Sequence, residues 1–134
     1  MNPISIPYHL VIPSALCVIG LFTIFVKRKY LFSGRGKTVL WTNVTVFLFL
    51  YLFIVGSATY NDIYYQWDLN QYDLDKDGFF VGKEVTKEQQ EAMEKLTNDL
   101  GRNFSLITGL LFAFPISLLT YGVGRICIKQ KQKT

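Results

Sequence analysis

Residues 39–58 read VLWTNVTVFLFLYLFIVGSA, twenty positions without an Asp, Glu, Lys or Arg. A helix needs about 20 predominantly apolar residues to cross bilayer hydrocarbon, so this run is long enough to span. Two further runs have the same character. Residues 9–26 (HLVIPSALCVIGLFTIFV) carry no formal charge at neutral pH, and neither do residues 104–124 (FSLITGLLFAFPISLLTYGVG). A core helix of a water-soluble domain is shorter and keeps a polar face. The whole chain has 134 residues, enough for one domain. It is 50% hydrophobic and only 18% charged, with a mean hydropathy of +0.23, which argues against disorder. The fold expected is an all-α membrane protein with three transmembrane helices. Its segments are 1–26 with the first helix, a basic loop 27–38, a second helix 39–59, an acidic segment 60–103, a third helix 104–124 and a basic tail 125–134.

The charges are partitioned as this reading requires. Residues 60–103 hold all ten acids and five bases, Lys76, Lys83, Lys87, Lys95 and Arg102, a net charge of −5. The other ninety residues hold nine bases and no acid, a net charge of +9. Lys27, Arg28, Lys29, Arg35 and Lys37 lie between the first two runs, and Arg125, Lys129, Lys131 and Lys133 follow the third. The positive-inside rule makes both groups cytoplasmic. The N-terminus and the acidic segment then face outside, across a plasma membrane or into the periplasm across a bacterial inner membrane. Interfacial aromatics agree, with Tyr30 and Trp41 on the inner side and Tyr8, Tyr60, Tyr64, Tyr65 and Trp67 on the outer. The first run is expected to remain in the protein rather than act as a cleaved signal, because its bases follow the apolar stretch. Cys17 and Cys127 fall at different depths and are not expected to pair. Bases clustered beside apolar runs, with none along one soluble face, make the lipid bilayer a partner and argue against nucleic acid.

Between the second and third runs stands Asp73-Leu74-Asp75-Lys76-Asp77-Gly78-Phe79-Phe80-Val81-Gly82-Lys83-Glu84. It matches the spacing D-x-[DN]-x-[DN]-G-x5-E at every fixed position. Alternating carboxylates at Asp73, Asp75 and Asp77 turn toward one centre, and Gly78 allows the chain to bend back across it. The twelve residues resemble the calcium-binding loop of the EF-hand family. That resemblance implies Ca2+ as the bound ion, held by Asp73, Asp75, Asp77, the backbone carbonyl of Phe79 and the two oxygens of Glu84. It also implies an extracytoplasmic helix-loop-helix between the second and third membrane helices. Bulky residues at Tyr60, Ile63, Tyr64 and Trp67, and again at Val85, Ala92, Met93, Leu96 and Leu100, suit flanking helices over 60–72 and 85–100. The chain departs from the family pattern in having Phe80 at the eighth position and in having a single loop. Phe79, Phe80 and Val81 therefore need a cover from a second copy, a partner or the membrane surface. Thr86-Lys87-Glu88-Gln89 reads as a capping box, so a helix restarting at Thr86 is expected to disturb the placement of Glu84.

A segment of about 44 residues is near the size at which small domains need a metal or an oligomer to fold. Extracellular calcium modules bind at about 10⁻⁴ to 10⁻³ M, where the ion is abundant, which favours a structural role over rapid signalling.

The spans carry their own signals. Ser105, Gly109, Ala113 and Ser117 put a small residue at every fourth position, a helix-packing stripe expected to meet a partner or another copy. The bulky second span is expected to face lipid or a larger protein, while Thr42, Asn43 and Thr45 bond neighbouring helices. Pro115 is expected to kink the third helix. No span holds an Asp, Glu, Lys or Arg, which weakens a pump or channel reading, although a pore of hydroxyls and carbonyls stays open. No nucleophile–base pair, His cluster or glycine-rich phosphate loop is present, so no enzyme activity is expected. The leading expectation is an accessory or assembly subunit of a larger membrane complex, its external calcium loop holding a docking segment in shape. The alternative is a homo-oligomeric calcium sensor or channel, with helices beside the loop gating the second and third spans.

Overall fold

The computed structural model describes residues 4–98 and 100–131. Residues 1–3, Asp99 and residues 132–134, which hold part of the N-terminal stretch and the end of the basic tail, lie outside the described residues. The described chain is helical and strand-free, with helices α1 (Tyr8–Val26), α2 (Arg28–Leu31), α3 (Arg35–Leu69), α4 (Lys87–Thr97), α5 (Leu100–Asn103) and α6 (Ser105–Lys131). Three of them, α1, α3 and α6, are long and apolar enough to cross a membrane.

Helix α3 is the organising element. Its 35 residues extend about 52 Å at the helical rise, well beyond the roughly 30 Å of bilayer hydrocarbon. The expected boundary at residues 59 and 60 is not a break in the backbone. Polarity changes there, but no proline intervenes, so the helix that reads as a span continues outward to Leu69. At its other end Gly34 takes φ 103, and the Thr38 hydroxyl donates to the carbonyls of Phe32 and Gly34. Those bonds close the turn out of α2. Helix α6 likewise runs beyond the apolar stretch, through Pro115 and on to Lys131.

Both α1 and α6 pack on α3. At one end Leu10, Val55 and Ala58 form a small core, joined by Tyr51 and Leu106. The packing stripe of α6 is buried along its length at Ser105, Gly109, Ala113 and Ser117. A methyl group added at Gly109 would come within 3.1 Å of the Tyr51 ring and 3.3 Å of Val55. At Gly109 the stripe thus meets α3 of the same chain. Small residues let the backbones approach, and the bulky Tyr51 and Val55 fill the space that approach leaves. The second span is correspondingly central, with only part of its bulk, such as Phe49 and Phe53, turned outward. Near the other end the Thr120 hydroxyl donates to Asn43 Oδ1 at 3.0 Å, so Asn43 does bond a neighbouring helix.

Most remaining large side chains on the spans point away from the bundle, among them Phe22, Phe25, Leu111 and Leu119. Such a belt is costly in water and free of cost in hydrocarbon. The ends of the bundle differ in charge. Ser5, just before α1, exchanges two hydrogen bonds with the Gln66 side chain, at 2.8 and 3.0 Å. The start of the chain therefore lies beside the acidic segment. Arg35 and Lys37 open α3 while Arg125 and Lys129 close α6, and Val39 touches Gly124, so these bases gather at the opposite end.

Candidate metal centre

The acidic loop begins where α3 stops. Past Leu69 the chain turns at Gln71 and Tyr72, whose N–H groups donate to Asp68 and Leu69 carbonyls. Alternating Asp residues then favour local side-chain to backbone bonds over helix. Asp77 N–H donates to Asp75 Oδ1 at 3.2 Å, Gly78 N–H to Asp73 Oδ2 at 3.2 Å and Phe79 N–H to Asp77 Oδ1 at 2.7 Å. Lys76 and Gly78 take positive φ, 64° and 90°, and reverse the chain between the carboxylates. Glycine at residue 78 makes its share of that reversal free of side-chain strain.

Glu84 returns from the far end of the loop. It ends a 3₁₀ turn over Gly82–Glu84. Its Oε1 accepts from the N–H of Leu74 at 2.7 Å and of Asp75 at 3.3 Å, and its Oε2 accepts from the N–H of Val81 at 3.3 Å. One carboxylate oxygen each from Asp73, Asp75 and Glu84 lie within 4.8 Å of one another. Asp73 and Glu84 are buried, each 6% exposed, and Asp75 is open to solvent. Asp77 is outside this trio and spends one oxygen on Phe79 N–H. Phe79 is 71% exposed.

Crowded carboxylates repel, and Asp75 registers it. The Asp77 N–H bond favours the charged form of Asp75. Desolvation and the charges of Asp77 and Glu84 outweigh that bond, and its carboxyl sits above the ordinary carboxylate range. A cation held between the three carboxylates would relieve that repulsion.

Helix α4 does restart where the capping pattern places it. Thr86 Oγ1 accepts from Gln89 N–H at 3.1 Å, and the helix begins at Lys87 rather than at residue 85. That restart leaves Glu84 outside α4. The 3₁₀ turn and the non-helical Val85 separate the carboxylate from the cap, so each keeps its own geometry. The apolar side of the loop remains partly open. Phe79 and Val81 are exposed, and Phe80 lines a groove with Val85, Gln89 and Met93.

One residue of this region escaped the sequence reading except as a charge. Arg102, in α5, is 5% exposed. Its Nε is 2.9 Å from Asp62 Oδ1, its Nη2 donates to the Leu96 carbonyl, and its guanidinium lies 5.4 Å from the Tyr65 ring centre. Asp62 Oδ2 in turn accepts from Gln66 Nε2 at 2.8 Å. These contacts tie the end of the acidic segment to the part of α3 that continues past its apolar run. The available sequence signal was only a lone Arg beside an apolar run. No protein-family model, curated protein or solved structure matches the chain.

Proposed function

We propose that the chain is a small integral membrane calcium-binding protein serving as an accessory or assembly subunit of a larger membrane complex. The observation that carries this reading is the trio Asp73, Asp75 and Glu84, held within 4.8 Å by backbone N–H groups in a loop between two membrane-length helices. In this reading the loop is an EF-hand, with Asp77 and the Phe79 carbonyl completing the oxygen set. The N-terminus and residues 60–103 face outside and the C-terminus is cytoplasmic. The gathering of basic residues at one end of the bundle supports that orientation. Calcium holds the loop in shape, and the exposed Phe79, Val81 and Leu74 form part of the docking face. The chain is not an enzyme in this reading, and the ion is structural.

The test uses the full-length protein in detergent. Calcium should change Trp67 fluorescence and raise protection from proteolysis across residues 70–86, and Glu84→Gln should abolish both effects. No response in the wild type would remove the calcium reading. Recovery of the protein with a constant larger membrane partner supports the subunit role.

A second reading is a homo-oligomeric calcium sensor or channel. It is favoured by the continuity of α3, which carries the loop on the same rigid helix as the second span. A stable homo-oligomer that conducts ions in a calcium-dependent way would select it.

A further inference from the structure

The apolar belt contains a groove with a cation at one end. Val18, Leu21, Phe22 and Phe25 of α1, Leu52 of α3 and Arg28 line an open space of about 580 Å³. Thr45 also borders the groove, but its hydroxyl donates to the Trp41 carbonyl at 2.8 Å. Arg28 is therefore the group that offers an incoming polar ligand unspent donors. Its guanidinium is stacked over the Phe25 ring, 5.4 Å from the centre, and the side chain stays exposed.

The stretch of α1 that lines the groove matches the depth of one lipid leaflet. Ten residues separate Val18 from Arg28, nearly all helical, which is about 15 Å at the helical rise. That is half of the roughly 30 Å hydrocarbon thickness, the depth of one leaflet. The charge also selects. Lys27 and Lys29 flank Arg28, Arg35 and Lys37 follow it, and every Asp and Glu of the chain lies between residues 62 and 99. A planar guanidinium forks onto phosphate oxygens, and an anionic headgroup adds an attraction that a zwitterionic one offsets.

We propose that this groove holds one anionic phospholipid, its phosphate on the Arg28 guanidinium and one acyl chain along Phe22 and Leu52. The proposal rests only on the helices crossing a membrane. It stands or falls independently of calcium at the acidic loop.

The test is native mass spectrometry of the full-length protein released from micelles containing equal amounts of phosphatidylglycerol and phosphatidylcholine. The wild type should retain one phosphatidylglycerol in preference to phosphatidylcholine. Arg28→Gln should lower that preference about tenfold, the scale of one charge-assisted hydrogen-bonded contact. Lys129→Gln removes the same charge away from the groove and should leave the preference intact. Excess glycerol phosphate should not displace the lipid, because it lacks the acyl chain. Equal retention of both lipids, equal losses in Arg28→Gln and Lys129→Gln, displacement by glycerol phosphate, or a retained ligand of another mass would each overturn the proposal.

Discussion

Arg102 Nε lies 2.9 Å from Asp62 Oδ1, joining positions forty residues apart across the acidic segment. The pair is largely shielded, with the Arg102 side chain 3% and the Asp62 side chain 14% exposed. It fastens α5, just before α6, to the end of α3 that continues past its apolar run. The Leu96 carbonyl on the same guanidinium brings the end of α4 into the same knot. Whatever happens at the loop between residues 70 and 86 is thus bracketed by a fixed frame.

Removing that anchor should loosen the whole segment. Arg102→Leu leaves Asp62 shielded without its cation, a change that typically costs about 3 kcal/mol or more. Hydrogen exchange should rise throughout α4 while the centres of α1, α3 and α6 stay protected. Asp62→Asn keeps an acceptor for Gln66 but leaves the more shielded Arg102 without its anion, and should raise exchange in the same region. Unchanged exchange in α4 for Arg102→Leu would show that the pair holds nothing.

The carboxylate trio makes a sharper statement. Glu84 is buried and both of its oxygens accept N–H groups of the loop, so Glu84→Gln keeps the size of the side chain while removing its charge and one accepting oxygen. Calorimetric titration of the full-length protein should show calcium binding weakened by at least about tenfold, equivalent to 1.4 kcal/mol. Asp77→Asn should cost less, since Asp77 lies outside the trio. Equal losses for the two variants would place Asp77 on a level with Glu84 as a ligand.

Much of this architecture was legible in the sequence because its causes are local. Three uninterrupted apolar runs became α1, α3 and α6, and the carboxylates that converge lie within twelve positions. The small-residue register of α6 was also legible, since spacing of four puts residues on one face. Its partner was not, because nothing in residues 105–117 says that Tyr51 and Val55 fill the opposing surface. That α3 runs unbroken past residues 59 and 60 was not legible, for a physical reason. Hydropathy records what surrounds a helix, and it changes at residues 59 and 60 where backbone geometry does not. Arg102 and Asp62 were both visible as charges, but a pairing across forty residues leaves no spacing to read.

The packing of α6 on α3 gives a controlled comparison between glycines. A Cβ at Gly109 meets the Tyr51 ring at 3.1 Å, whereas a Cβ at Gly122 has nothing within 4 Å. Gly109→Val should therefore destabilise by about 1–3 kcal/mol through overpacking. Gly122→Ala should be neutral or slightly stabilising, because alanine favours helix over glycine. Thermal unfolding in the same detergent reads both. Equal melting temperatures for the two variants would remove the α3–α6 seam as a stability determinant.

Orientation in the membrane is open to a chemical test that needs no new residue. Cys127 is exposed near the basic end of α6, and Cys17 is buried within α1. Both thiols are free. A membrane-impermeant maleimide applied to intact cells should leave the protein unlabelled if the basic end is cytoplasmic. After permeabilisation, or in inside-out vesicles, a single label should appear and should vanish in Cys127→Ser. Labelling of intact cells that depends on Cys127 would invert the topology. The acidic loop would then face the cytoplasm, where calcium is scarce, and an extracellular-strength site of about 10⁻⁴ to 10⁻³ M would stay empty there.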